Sequence, residues 1–549
     1  MLHVEETFLD SDDDHLSSDS ESEPDFELSD SEEDDGEYEE SFISKDGTRW
    51  SKSPIRETTV GRKKVSEIIR TKPGVTKYAT SRIDSEISAF KLVLHENNLA
   101  DLITFTNQKG FGKLGKKWQT VTETEMDALL GLLILSAIFK SNKEPMETLW
   151  STELGRPIFR ATMSMDRFKT ILRMLRIDDK PNRSTVKGAA IKNSWFLWTE
   201  RQALLMNPDE GITVDEQLVA FRGRVFCRQY MPNKPAKYGL KFFNSCCSTT
   251  AFVLNSQLYL GKSETGERAV NFGQKVTEDL VLQMGYDGRC VSLDNYFASY
   301  ELGQSLLKHN LTMVGTLRKN KKCIPPVLQA NPREVYSSLF AYTADTTLVS
   351  YVPKKHKNVI LISTLHHQGK VNDTDVKKPE IIDYYNRTKG AVDTVDRRIA
   401  SYSVKRATRN WIMVVIFNML DLSINNSFVL WDQINLGWST KNVRKRLFME
   451  KLAMQLIDNN MLQRNRLPRN KIAAEIVNKR RSQTDTNTVQ ASSSATKQLT
   501  SEVPTKRARC SFCRNTKVKN NKYDTTCYIC KKHLCKQHSI TLCIDCNET

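Results

Sequence analysis

The hydrophobic period of this chain changes at Gly211, and that change constrains its fold more than any other feature. From about residue 64 to 209, apolar residues recur at three- and four-residue spacing, as in ISAFKLVLHENNLADLI and TETEMDALLGLLILSAIF. That spacing is the pattern of helices with a buried face. From Gly211 the texture is that of short strands: ITVDEQLVAF, KYGLKFFNSCC, FVLNSQLYLG and GRCVSLDNYF, with helix-like EDLVLQM before the last. Ser337 to His367 alternates around the polar turns AD and KKHKN, which predicts a small antiparallel meander. Helical texture returns from Lys389 to about Val477. The expected class is multidomain, α/β plus α.

Charge divides the chain further. Residues 1–40 hold 19 Asp and Glu and no Lys or Arg. The remaining 509 residues carry 81 Lys and Arg against 46 acids, a net of +35. An acidic, Ser-rich stretch with few core formers is expected to be disordered, here over residues 1–63. A strongly basic body points to a polyanionic partner. No signal peptide is expected, because the N-terminal stretch is acidic where a signal would be basic and then apolar. Met126–Phe139 is too short to span a bilayer, and Trp411–Trp431 carries Asn418, Asp421, Asn425 and Asn426. Both read as buried helices, and no membrane partner is expected.

Three aspartates have an unusual setting. Asp215 lies inside the apolar run ITVDEQL, Asp294 ends the run CVSLDNYF, and Asp393 opens the helical stretch GAVDTVDRR with Asp396 one turn on. Half-buried carboxylates are costly unless paired or metal-bound. A single Asp at a strand end is more often a turn former or cap. Three converging from distant segments would bind two divalent cations, which can activate a nucleophile and stabilise a leaving oxygen in phosphoryl displacement. Around them Phe221–Lys241 carries Arg222, Arg224, Arg228, Lys234, Lys237 and Lys241 with no acid, interleaved with Phe226, Tyr230 and Tyr238. Arg318, Lys319, Lys321 and Lys322 follow in GTLRKNKK, and Lys389 precedes Asp393. Such cations hold phosphates and such aromatics stack on unpaired bases, although a charge run alone is commonly a solvated face.

At the C-terminal end, Cys510, Cys513, Cys527, Cys530, Cys535, His538, Cys543 and Cys546 form four closely spaced pairs, suited to two tetrahedral zinc ions. Spacing leaves open which pairs share an ion. About forty residues bury little, so the metals would hold this segment together. The five other cysteines are scattered, as reduced core residues usually are.

TVDEQLVAFRGR, MPNKPAKYGLK, SLDNYFAS, VGTLRKNKK and YYNRTKGAVDTVDRR, in this order, resemble the piggyBac family of DDE/D transposases, from about residue 80 to the C-terminus. The resemblance implies a ribonuclease-H-like catalytic domain with a β-rich insertion, flanked by helical dimerisation and DNA-binding segments and followed by a cross-brace zinc domain. The implied boundaries are an acidic tail (1–63), a helical segment (64–209), the catalytic domain (210–318), its insertion (319–379), its last helix (380–402), a second helical segment (403–480), a linker (481–505) and the zinc domain (506–549).

Asp215, Asp294 and Asp393 match the family's catalytic triad and Asp396 its additional aspartate, with two Mg²⁺, or Mn²⁺ in their place, as cofactors. Trp411 matches a tryptophan near the active site, and Tyr296 stands where the family often has Trp. Two structural Zn²⁺ are implied, one on Cys510, Cys513, Cys535 and His538 and the other on Cys527, Cys530, Cys543 and Cys546. His533 is a rival ligand at a position that is apolar in the family. The implied activity is excision and integration at TTAA through hairpin intermediates, by a nuclear homodimer acting on duplex DNA. Two alternatives are a domesticated DNA-binding protein that no longer cuts, and an adaptor that meets chromatin or another protein through the zinc domain.

Overall fold

The computed structural model describes residues 41–55, 67–181, 183–261, 271–330, 333–439 and 443–482, with the short strands Ala508–Arg509 and Lys522–Tyr523 beyond them. Residues 1–40 of the acidic stretch, nearly all of the linker and all eight zinc-ligand candidates lie outside the described residues. Two units are distinguished, residues 1–477 and 478–549. In the second, Ala508–Arg509 pairs antiparallel with Lys522–Tyr523. The first carries the elements below.

A hairpin, β1 (Ser41–Ile43) and β2 (Arg49–Ser51), opens the described chain. Composition assigned this segment to a disordered tail, and the structure corrects that. SKDGT makes a tight turn in which Asp46 Oδ1 accepts from Ser44 Oγ (2.5 Å) and the Thr48 N–H (3.0 Å), with Gly47 at φ 84°. Trp50 is fully buried and meets the Tyr300 ring edge-on at 5.6 Å. Averaging over 63 residues hid eleven that are amphipathic.

Among the helices that follow, α1 (Glu86–Leu94) begins in a capping box between Ser85 and Ser88, and α2 (Glu123–Ile138) is capped by Thr122. α2 is buried from Met126 to Ile138 and runs against a later helix at Gly131. A Cβ on Gly131 would lie 2.6 Å from Ile457 Cγ2 and 3.0 Å from the Ala453 carbonyl oxygen. The missing side chain is what lets the two helices approach. Gly131→Val is therefore expected to cost about 2 kcal/mol by overpacking, read as a lower urea midpoint at unchanged slope.

The strand region forms one mixed sheet. β3 (Gly211–Ala220), β4 (Arg228–Tyr230), β5 (Tyr238–Cys247) and β6 (Val253–Leu258) come first. The helix α3 (Phe272–Val281) leads to β7 (Cys290–Leu293), and α4 (Tyr300–Lys308) leads to β8 (Thr312–Thr316). The order β6-β5-β3-β7-β8, with β5 antiparallel to β3 and β6, and β7 and β8 parallel to β3, fits the ribonuclease-H-like expectation. The meander β9 (Ser338–Tyr342), β10 (Thr347–Lys354) and β11 (Lys357–Ser363) does not make a sheet of its own. β11 pairs with β8, and β9 pairs with β2, so the meander and the N-terminal hairpin extend the same sheet.

The helices α5 (Glu380–Thr388), α6 (Ala391–Ser401), α7 (Trp411–Ile434) and α8 (Arg444–Leu462) follow, and the unit's last residues, 471–477, are helical as well. α8 is the helix that meets Gly131. α7 is long and apolar enough to cross a membrane, yet it is nearly all buried in protein. Its polar residues explain the placement. Asn426 exchanges both amide hydrogen bonds with the Val253 backbone (2.8 and 2.9 Å), Asn425 donates to the Ala251 carbonyl (2.9 Å), and Ser423 accepts from Trp198 Nε1 (2.8 Å). Buried side-chain amides are costly unless hydrogen-bonded, and each of these residues makes at least one such bond, although Asn425 Oδ1 has none.

Candidate active site

β3 outruns its neighbour β7. Their last paired residues are Val214 and Leu293, so at Asp215 the sheet is open on that side, and Asp294 follows directly on the end of β7. Neighbouring residues of a strand ordinarily face opposite sides. At this open end they converge: Asp215, Glu216 and Asp294 each place a carboxylate oxygen within 4.8 Å of the others. The Glu216 N–H donates to Asp215 Oδ1 (2.7 Å), while Glu216 Oε2 is buried with no hydrogen-bond partner. Three oxygen donors, one of them unsatisfied, fit a hard divalent cation such as Mg²⁺ or Mn²⁺.

The other two aspartates enter on α6. Asp393 lies in its first turn, 59% exposed, with Oδ1 3.8 Å from Lys234 Nζ. It stands beside the compact group rather than within it. Asp396 is turned inward, where its Oδ1 accepts from Gln217 Nε2 (2.7 Å). Gln217 Oε1 in turn accepts from Asn418 on α7 (3.1 Å) and Asn244 on β5 (3.4 Å), and Asn244 accepts from Ser256 Oγ (2.6 Å). This buried chain of amides ties α6 and α7 to β3, β5 and β6. Sequence reasoning grouped Asp396 with the catalytic carboxylates; here it anchors the helix that carries Asp393.

Electrostatics follow from that crowding. Burial, then the charges of Glu216 and Asp294, raise the Asp215 carboxyl well above its ordinary value. Burial and Glu216 push Asp294 up to about 6. Burial also pushes Asp396 up to about 6, against the Gln217 hydrogen bond that favours its charged form. A carboxyl whose folded pKa exceeds its unfolded value stabilises the fold below the unfolded value and stops doing so as pH rises through the folded one. These carboxyls are therefore expected to cost the metal-free protein thermal stability as pH rises from about 4 to 7, a loss partly offset by His366, whose pKa burial lowers to about 4. Mn²⁺ should restore it increasingly over the same interval, because the ion needs the deprotonated ligands. Thermal scans with and without Mn²⁺ across that range check both signs.

Most of the predicted cations are exposed. Arg222, Arg224 and Lys237 are exposed on the β3–β5 connection, and so are Phe226 and Tyr230. Arg228 is exposed, but its guanidinium also donates to the Arg222 and Gly223 carbonyls (both 3.3 Å). Trp411 opens α7, half-buried, edge-on to Phe226 at 6.1 Å. Lys319 is exposed, Lys389 lies over the Tyr385 ring at 5.3 Å, and Arg318 donates to Asn295 Oδ1 (3.3 Å) beside Asp294. A cavity of about 480 Å³ lies there, lined in part by Phe272, Tyr296, Arg318, Lys321 and Lys322.

Lys234 differs from its neighbours, being turned toward the carboxylates. Three participants escaped sequence reasoning: Glu216, Gln217 and Asn418. The run DEQ was their one signal, an acid and an amide directly following an aspartate in an apolar strand.

The family model described as Transposase IS4 matches residues 85–428. Among human proteins, PiggyBac transposable element-derived protein 3 is 23% identical over 337 residues, covering 56% of this chain and 55% of that one. PiggyBac transposable element-derived protein 2 is 21% identical over 374 residues, 63% and 61% of the two chains. PiggyBac transposable element-derived protein 5 is 22% identical over 407 residues, 68% and 75%. The chain thus spans about half the length of the first of these relatives. Among solved structures, the cryo-EM structure of the piggyBac transposase synaptic complex with hairpin DNA superimposes with a TM-score of 0.70 and 29% identity, covering 87% of this chain and 100% of that one.

Proposed function

The chain belongs to the transposase family that includes piggyBac and the piggyBac-derived proteins, and from this premise we propose that it is a DNA transposase that cuts an element free and inserts it at TTAA. The observation that carries the reading is the convergence of Asp215, Glu216 and Asp294 at the open end of β3, beside an exposed basic and aromatic loop. Asp215, Asp294 and Asp393 would hold two Mg²⁺ or Mn²⁺. Such ions, when bound, lower the pKa of the attacking hydroxyl and stabilise the leaving oxygen.

The chain's own residues bind and aim the DNA. Arg222, Arg224, Lys237, Arg318 and Lys319 take phosphates, and Phe226, Tyr230 and Trp411 offer faces to bases unstacked at the cut. The Asp396–Gln217–Asn418 chain keeps α6 against β3, so that Asp393 stays within reach of the other carboxylates. Water attacks the phosphodiester at the element end and releases a 3′-hydroxyl, which then attacks a phosphodiester of the opposite strand, closing a hairpin and expelling the 3′-hydroxyl of the flanking DNA. No side chain becomes covalently attached. The remaining features of this reading are action as a homodimer in the nucleus, and a C-terminal segment with two structural Zn²⁺ that reads the terminal repeats.

Incubating the purified chain and Mg²⁺ with duplexes carrying its element's terminal repeats and a flanking TTAA tests the proposal. Nicked and hairpin products on a denaturing gel are expected, with binding that weakens steeply with added salt. Salt-sensitive binding without any nick would favour the reading of a DNA-binding protein that no longer cuts.

A further inference from the structure

Lys234 is the cation of its loop that does not serve the surface. Arg222, Arg224 and Lys237 are exposed, whereas the Lys234 side chain keeps 22% exposure. Its Nζ donates to the Glu216 carbonyl (3.0 Å) and lies 3.8 Å from Asp393 Oδ1. The Lys234 ammonium thus bridges the backbone of Glu216 on β3 and the Asp393 carboxylate on α6, while a second cation, Lys241 on β5, lies 3.9 Å from Glu216 Oε1.

Carboxylates this close repel one another, and a resident positive charge relieves the repulsion. The loop that presents the ammonium is built to stay in place without it. The Met231 and Lys237 N–H groups donate to the Lys237 and Lys234 carbonyls (2.8 and 2.9 Å), and the Lys234 N–H donates to the Met231 carbonyl (3.2 Å). Pro232 and Pro235 flank the lysine within this turn. A lysine is a point charge on a flexible stem, so its head can leave while the turn stands.

We infer that Lys234 is the counter-cation of the carboxylate cluster in the metal-free protein, and that divalent ions displace its ammonium when they enter. Lys234 is then a positioning residue whose charge keeps Asp393 and β3 together until metal replaces it. The inference rests on the metal-binding reading of the site and adds a competition that this reading does not require.

Metal-stripped full-length protein, titrated with Mn²⁺ and followed by thermal unfolding, tests it. Lys234→Met is expected to unfold at a lower temperature than wild type without metal, and to reach half of its Mn²⁺-induced shift at about tenfold lower Mn²⁺, because the ion no longer competes with an ammonium. Lys234→Arg, which keeps the charge, should stay near wild type on both measures. A lysine that only supports the fold would lower stability equally with and without Mn²⁺ and leave the half-saturating concentration unchanged, which overturns the inference. A wild-type response to Mn²⁺ that Asp215→Asn removes and Lys234→Met leaves unaltered overturns it while leaving the metal site standing. If the wild type shows no response to Mn²⁺ at all, the metal reading fails and the inference fails with it. Should Lys234→Met be unfolded without metal, folding on addition of Mn²⁺ supports the inference, and failure to fold in either condition overturns it.

Discussion

Asp215→Asn or Asp294→Asn is expected to reduce DNA cleavage by about 10³-fold or more, since each removes a charged ligand of ions that contribute several kcal/mol to the transition state. The amide keeps the shape of the carboxylate, so DNA affinity should stay within about threefold of wild type, phosphate contacts being made elsewhere. A second effect has the opposite sign. Asp215, Glu216 and Asp294 crowd one another within 4.8 Å, and burial already raises the first and last. Neutralising one of them relieves repulsion, so the metal-free variants should melt at a higher temperature than wild type.

Loss of cleavage with a gain in metal-free stability separates a metal ligand from a structural aspartate, whose loss would lower both. Asp393→Asn completes the set. Asp393 is exposed and lies outside the compact group, so it must be drawn in by the metals to act as a third ligand. Asp393→Asn should therefore also lose cleavage. Cleavage at a normal rate in Asp393→Asn, with Glu216→Gln inactive, would transfer the third position to Glu216.

Trp50→Ala is expected to cost about 3–5 kcal/mol of folding stability, the usual range for removing a buried aromatic from a core. Trp50 is fully buried against Tyr300 and belongs to the core that contains Phe297 and Leu302. Its Nε1 is buried without a hydrogen-bond partner, so Trp50→Phe should recover most of the loss by deleting that unpaired group. Truncation gives the same contrast at a larger scale. Deletion of residues 1–40 should leave the urea midpoint unchanged, whereas deletion of residues 1–55 removes Trp50 and uncovers the edge of β9 that Ser51 partly covers. Equal midpoints for the two truncations would count against a structural role for the hairpin.

Much of this architecture was legible in residue order. The period change at Gly211 located the strand region, ITVDEQLVAF and KYGLKFFNSCC match β3 and β5 to within a residue, only the first half of CVSLDNYF forms β7, and the turns AD and KKHKN separate β9, β10 and β11. Strand alternation and turn chemistry are local, set by a residue and its near neighbours, and so they survive translation from sequence to structure. The hairpin at Ser41–Ser51 was misjudged because a composition taken over a long acidic stretch cannot see a short amphipathic segment whose stability comes from docking on a sheet formed nearly three hundred residues later.

The site divides in the same way. The apolar setting of Asp215 and Asp294 and the helical spacing of Asp393 and Asp396 drew notice to these residues, and the family resemblance assigned all four to the site. Their division of labour was decided by tertiary structure. β7 ends one residue before Asp294 and leaves β3 open at Asp215, which lets Glu216 turn to the same point. The turn of α6 sends Asp396 inward to Gln217 and leaves Asp393 beside Lys234. Separations of 79 and 99 residues along the chain carry no information about distance in space. Where one strand stops relative to its neighbour, and which side of a helix meets the sheet, sets the few ångströms over which charges repel, share a cation or coordinate a metal, and those placements come from packing the whole core at once.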